Sequence, residues 1–331
     1  MVPSVVTTPL GGLYIPFVWR LTRKVRRALA EGGRVSPIHA LFAIVRDCPV
    51  ARLLPAELQG RTVVVALDVV RAGLGDRALM MQLAHAAQYA GANVRLVYTC
   101  SERDPAYQLK PQQTARFLRD TFAPPGAELH TSLDTATEKA DFLVWASNVP
   151  DVQLPADLRR EESFGTWAES LGLPLAKAVA SLPLAPRSHV IGRLAAQHEW
   201  EGPYALLQLG AGTHAALVPH AASLATRFAK EFGVTLVTYG PVGAYYESND
   251  PDVKVANLGS CSLDTLVALI SGATRGFGPE SGPLHLAGLM RAAWTISYRE
   301  QPFTAWWTAH YDARVNRVAA DASGPESSVA G

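Results

Sequence analysis

The stretch "GFGPESGPLHLAGLM" (residues 276–290) gathers four glycines, two prolines, a Glu, a Ser and a His before turning apolar. With the residues before it, "TRGFG" (274–278) reads as a strand and "SGPLHLAGLMRAA" (281–293) as the helix that follows. Ser281 stands at the N-cap position, Pro283 is tolerated in a first turn, and Gly282 lets a ligand approach the backbone. Free N–H groups at such a helix start, with the helix dipole behind them, make an anion site. Ligands of open α/β sheets bind beyond the carboxyl ends of strands, where this turn falls. Glu280 is placed to accept hydrogen bonds from sugar hydroxyls. His285, one turn in, has two readings: it faces the same cleft, or it is a core histidine beneath a capped helix.

Outward from this turn, strands and helices alternate. "YALLQLG" (204–210) is a strand, "AGTHAALVP" a loop, "HAASLATRFAKEFG" (220–233) a helix closed by Gly233, and "VTLVTYG" (234–240) the next strand. "VKVANLGS" (253–260) is a short strand, and "SLDTLVALISGA" (262–273) a helix capped by Ser262 with Asp264 in its first turn. The turn Gly210-Ala211-Gly212, with Thr213 and His214, offers backbone N–H groups and a hydroxyl to phosphate oxygens, although many strand–helix loops contain such glycines.

The first half follows the same plan. "RTVVVALDVV" (61–70) is a buried parallel strand and "RAGLGD" (71–76) a turn. "RALMMQLAHAAQYAG" (77–91) is a helix and "NVRLVYTC" (93–100) a strand. "KPQQTARFLRDTF" (110–122), "DFLVWASN" (141–148) and "EESFGTWAESLGLPL" (161–175) follow as helix, strand and helix. Gly73 and Gly75 allow a tight turn. Asp76 at the helix start is either a cap or a general base. "LPLAPRSHVIGRLAAQHEWEGP" (182–203), with three prolines and two glycines, reads as a domain boundary.

A length of 331 residues exceeds that of one ordinary domain, and 48% hydrophobic with 18% charged residues suits two globular α/β domains with parallel sheets. A net charge of +1 gives the molecule no strong pull toward nucleic acid. Cys48, Cys100 and Cys261 are too few and too scattered for a disulfide framework or a metal cluster, so a reducing cytoplasm is the simplest setting. No apolar run is long enough to span a bilayer, and no signal-peptide order is visible.

In order, "VVVALDVVRAGLGDRALMMQLAHAAQYAGANVRLVYT" (63–99), "LLQLGAGTHAALVPHAASLATRFAKEFGVTLVTYGP" (206–241) and "ESGPLHLA" (280–287) resemble the family 9 glycosyltransferases, the bacterial heptosyltransferases, over roughly residues 61–310. The resemblance implies a GT-B fold: two Rossmann-like domains facing across a cleft. The acceptor-side domain is expected at 61–187, the nucleotide-sugar domain at 188–320 and a flexible tail at 321–331, all preceded by a basic extension at 1–60. It implies inverting, metal-independent transfer of a sugar from a nucleotide-diphosphate sugar to an acceptor hydroxyl. No cofactor is implied; an ADP-sugar is the favoured co-substrate, and heptose is the family's usual sugar.

By position, Asp76 would be the general base, with Gly73, Gly75 and Arg77 in the acceptor-side turn. Gly210, Ala211, Gly212, Thr213, His214, Glu280, Ser281, Gly282, Pro283, Leu284 and His285 would bind the donor. The chain departs from the family in three places. Glu280 replaces the usual Asp. No Lys or Arg follows the Gly210 turn, leaving His214, Arg77 or Arg275 as candidate cations. "WTISYREQPFTAWW" (294–307) replaces the usual last loop. Two other functions fit the same plan: a sugar-nucleotide epimerase, and a catalytically silent sugar- or protein-binding scaffold.

Residues 1–60 carry eight basic against three acidic side chains, a net +5. In "LYIPFVWRLTRKVRRALA" (13–30), Phe17, Leu21, Val25, Ala28 and Leu29 share one helical side. Such a helix fits peripheral contact with an anionic membrane, and fits better packing against the second domain or a partner subunit.

Overall fold

The computed structural model describes residues 4–9, 58–67, 74–97, 109–131, 133–147, 188–210, 212–279, 281–298 and 315–320. The basic helix expected at 13–30, the helix at 161–175, the tail, and Gly73, Ala211 and Glu280 lie outside the described residues. The chain divides into two compact units, Met1–Ser181 with Trp306–His310, and Leu182–Ala305 with Tyr311–Gly331.

The first unit is built on a five-stranded sheet. It contains β1 (Ser4–Pro9), β2 (Thr62–Ala66), α1 (Leu74–Tyr89), β3 (Asn93–Val97) and α2 (Leu109–Phe122), followed by β4 (Glu128–His130), α3 (Leu133–Thr137) and β5 (Phe142–Ser147). The strand order is β1-β5-β2-β3-β4, every neighbouring pair parallel. The β-branched run of β2 buries Val63, Val64 and Val65 completely, each contributing about 1.5–3 kcal/mol relative to exposure. Helix α1 begins at Leu74, three residues earlier than the sequence suggests, so Asp76 falls within its first turn. It ends before Gly91, whose φ of 90° suits glycine. Within the extension expected at 1–60, Ser4–Pro9 forms an edge strand beside β5. Its Val-Val-Thr-Thr core favours extended backbone, and Pro9 at a strand end removes little from the ladder.

The second unit opens with α4 (Ser188–Gln197) and β6 (Tyr204–Gln208). A 3₁₀ turn (Gly212–Leu217) leads into α5 (Val218–Phe232), then β7 (Thr235–Tyr239), β8 (Val255–Asn257) and α6 (Leu263–Gly272). The unit closes with β9 (Arg275–Pro279), α7 (Gly282–Leu289), β10 (Trp294–Tyr298) and β11 (Val315–Ala319). Its order is β11-β10-β9-β6-β7-β8, again all parallel. The chain runs outward from β6 through β7 to β8, then returns to the other side of β6 and runs outward through β9, β10 and β11.

Ala205, Leu207, Leu236 and Phe277 pack under Ala221, Leu224 and Ala225 of α5. Alternation along β6 sends Tyr204, Leu206 and Gln208 to the opposite face, where the Tyr204 hydroxyl donates to Leu269 O of α6 at 2.8 Å. Gly276 leaves room for the fully buried Trp294 indole, since a Cβ there would lie 2.1 Å from its Cε3. α5 ends at Gly233 in the left-handed region with φ 62°, and the Ser262 side chain caps α6 by accepting from Thr265 N.

Three expectations change here. The segment at 182–203 contains α4, because Val190 and Ile191 give it an apolar side, and Gly272 of α6 leaves the space into which the Ile191 side chain packs. The loop at 211–219 is largely a 3₁₀ turn running into α5, with a proline in that helix's first turn. The last helix stops at Leu289, short of residue 293, and Arg291 beyond it has φ 57°.

Candidate functional site

The direction reversal in the second sheet falls between β6 and β9, which are hydrogen-bonded neighbours. At such a switch point the loops leaving the two strands diverge to opposite faces and open a crevice outside their carboxyl ends. The loop after β6 carries Gly210 and Gly212; the loop after β9 carries Ser281 and Gly282. Two of the stretches singled out in the sequence therefore meet at one place.

Gln208, the last residue of β6 and 3% exposed, joins them. Its Oε1 accepts from Ser281 Oγ at 2.7 Å, and its Nε2 donates to Gly210 O. Gly278 makes room for it: a Cβ there would lie 3.1 Å from both Gln208 Cβ and Oε1. Gly210 packs against the ring of Pro241, so the loop after β7 seals the far side of the turn. That loop is itself folded back, with Gly240 N donating to Gly259 O and Ala244 N to Pro241 O, both at 3.0 Å. Asn257 holds its outer end, accepting from Thr238 Oγ1 at 2.7 Å and Tyr246 N at 3.0 Å.

Ser281 occupies the N-cap backbone position of α7 but makes no side-chain cap. This corrects the expectation that it caps the helix: its hydroxyl points back to Gln208 and lies 3.2 Å from Pro279 O. Gly282 and Pro283 are half-buried at the helix start. Leu284 is fully buried and His285 is 6% exposed. Burial pushes His285 down to about 4, which keeps the imidazole neutral.

Neither turn supplies a lysine or arginine. Arg275, a candidate for the missing cation, is corrected. It begins β9, about 13 Å of strand away from the turn at the other end. There its Nη1 donates to Thr295 Oγ1 at 3.3 Å, and its guanidinium lies 5.9 Å from the Phe228 ring centroid. Arg77 belongs to the first unit and is 1% exposed, which does not suit a side chain reaching a ligand from a surface turn. Thr213 and His214 lie in the 3₁₀ turn, and their side chains are not among those described. The same holds for Asp76, whose backbone sits in the first turn of α1 beside the buried Gly75.

Sequence reasoning missed Gln208. Its signal was present: a single polar residue ending the otherwise apolar strand "YALLQ", two residues before a glycine. Cys261 is a free thiol whose burial pushes it up to about 11, outside the range of a reactive thiolate. Among the described residues, no three His, Cys, Asp or Glu side chains stand together as a metal site, and no helix is long and apolar enough to cross a membrane.

Strand order and switch point define the second unit as a doubly wound α/β sheet. A family 9 glycosyltransferase from Veillonella parvula has the same fold at a TM-score of 0.52 and 11% identity, over 81% of this chain and 89% of that one. The ADP-heptose LPS heptosyltransferase II of E. coli aligns at a TM-score of 0.45 and 15% identity, over 78% of this chain and 90% of its own. E. coli heptosyltransferase WaaC with ADP aligns at 0.42 and 14%, over 78% and 93%. No protein-family model matches the sequence, and no curated protein matches it either.

Proposed function

We propose that the chain is a glycosyltransferase that moves a sugar from a nucleotide-diphosphate sugar to an acceptor hydroxyl, with inversion and without a metal. The observation that carries this reading is the switch point between β6 and β9, where two glycine-containing turns are joined through Gln208 and Ser281. It supports the second unit as the donor side, with the diphosphate on the turns after β6 and β9. The sequence resemblance favours an ADP-sugar.

The resemblance assigns the role of general base to Asp76, in the first unit. The Asp76 carboxylate takes the proton of the acceptor hydroxyl as its oxygen attacks the anomeric carbon. The bond to the diphosphate breaks on the opposite side of that carbon, and negative charge grows on the leaving oxygens. Backbone N–H groups at the turns face that charge without reorganising, which is where fixed dipoles lower a barrier most. Asp76 is placed for the role by its backbone, which lies in the first turn of α1.

Screening ADP-, GDP-, UDP- and dTDP-sugars for a rise in melting temperature finds the donor, because a bound ligand stabilises the fold by mass action. With that donor, Asp76→Asn lowers transfer by about 10²–10⁴-fold and leaves donor binding unchanged. Full transfer by the variant removes Asp76 from the mechanism. A protein stabilised by none of the four sugars is not a transferase of this kind.

A further inference from the structure

The strands that end at the switch point carry one carboxamide, Gln208, and both of its polar atoms are engaged. Gln208 Oε1 takes the Ser281 hydroxyl proton at 2.7 Å, and Nε2 donates to the Gly210 carbonyl. The two contacts fall on the two loops that leave the crevice in opposite directions. Two glycines meet this side chain, Gly278 by giving it space and Gly210 by offering its carbonyl.

The consequence for α7 follows from which N–H groups a cap serves. A serine at N-cap ordinarily accepts from the second or third residue of its helix. Here the second residue is Pro283, which has no N–H, and the third, Leu284, donates instead to Ser281 O at 3.1 Å. The hydroxyl, turned to Gln208, serves no N–H of its own helix.

We propose that Gln208 is a positioning residue for the donor's diphosphate: it fixes the Gly210 turn and draws the Ser281 hydroxyl off its own helix. The first-turn N–H of α7 and the Gly210 turn are thereby held as one anion-facing floor. This inference rests on the glycosyl-transfer reading above. Gln208 does not touch the donor; it acts through Gly210 and Ser281. A merely structural glutamine would weaken every ligand of the unit alike when removed, whereas a positioning glutamine weakens those that carry the diphosphate.

The test is calorimetric titration of ADP, GDP, UDP and dTDP, each beside its parent nucleoside, into wild type, Gln208→Leu, Gln208→Glu, Ser281→Ala and the Gln208→Leu/Ser281→Ala double variant. Wild type is expected to bind one diphosphate clearly better than its nucleoside. Gln208→Leu lowers affinity for that diphosphate by about tenfold, the scale of a lost hydrogen bond, and leaves the nucleoside unchanged. Because the two residues act as a unit, the double variant loses no more than Gln208→Leu alone. If Gln208→Leu does not fold, Gln208→Glu carries the test: it keeps an acceptor for Ser281, loses the donor to Gly210, and should still weaken the diphosphate selectively. Equal diphosphate affinity in wild type and variants overturns the inference, as does an equal loss for diphosphate and nucleoside, or strictly additive losses. A wild type that binds none of the four diphosphates sinks the glycosyl-transfer reading itself, and this inference with it.

Discussion

The two sheets have the same strand direction but tie their strands together at opposite ends. In the first, the ties are charged and sit toward the amino ends of strands. Arg61, just before β2, pairs with Asp141, just before β5, at 3.0 Å, and the same carboxylate accepts from Thr62 N at 2.8 Å. Arg95 of β3 pairs with Glu128, the first residue of β4, at 2.8 Å. In the second, Arg275 donates to Thr295 near the amino ends, but the further ties are neutral and sit toward the carboxyl ends: Gln208 with Ser281 and Thr238 with Asn257, each at 2.7 Å. Exposed ion pairs align strand starts at little gain in stability and little risk. Neutral ties of this kind join strand ends to their turns without adding a charge there. The amino edge of the first sheet is thus tied by charge and the carboxyl edge of the second by neutral hydrogen bonds; under the proposed function the second of these is the binding edge.

The largest effect expected from this contrast is an acid one. Burial sets His285 at about 4 in the folded protein against an ordinary 6.5. As pH falls below about 6.5, the unfolded chain takes up a proton that the folded one refuses until about 4. Stability is therefore complete above this window and declines through it, by about 3 kcal/mol from this one residue. His85 contributes in the same direction: burial lowers it, partly offset by the bond its Nε2–H donates to Phe122 O at 2.7 Å. Urea midpoints measured from pH 7 to 4 should fall steeply for wild type and less steeply for His285→Leu. An unchanged slope would mean that His285 is not sealed in the core, and would return it to the cleft.

Gly210→Ala comes next. An added Cβ would lie 2.6 Å from Pro241 Cδ, a ring atom that cannot rotate away. Overpacking of this kind costs about 1–3 kcal/mol, which denaturant unfolding would detect. The turn must shift to accommodate the methyl group, so affinity for a nucleoside diphosphate should fall as well. A variant with wild-type stability and affinity would show that the loops after β6 and β7 are not packed against each other, and the rigid floor would have to be abandoned.

What was legible in the sequence was legible because local chemistry decided it. The β-branched run at 62–66, the Ser262 cap and the Gly233 stop are each fixed by a few neighbouring residues, and each was read correctly. The turns after β6 and β9 were also found, because glycine, serine and proline announce them. That they meet was not readable: it depends on β9 returning to the side of β6 away from β7, a matter of strand order rather than spacing. Ser281 was misread for the same reason, since its partner Gln208 lies 73 residues away in sequence and competes successfully with its own helix. Arg275 was misplaced because a cation's value depends on which end of a strand it occupies. The helix at 188–197 was hidden by the prolines on either side, which mark the boundary but not what lies inside it.

The smallest effect expected belongs to the first sheet, and it tests the contrast from the other side. Arg61→Met removes an ion pair whose partners are 57% and 32% exposed, so the loss should stay under about 1 kcal/mol and shrink further in high salt. Asp141→Ala should cost more, because the part-buried Thr62 N–H then loses its acceptor, and that excess should survive salt. Neither change should alter nucleoside diphosphate affinity. Comparing the two variants at low and high salt separates the charge from the hydrogen bond within a single carboxylate. If either variant weakens the ligand, the amino edge of the first sheet has a part in binding, and the division between a stabilising edge and a binding edge fails.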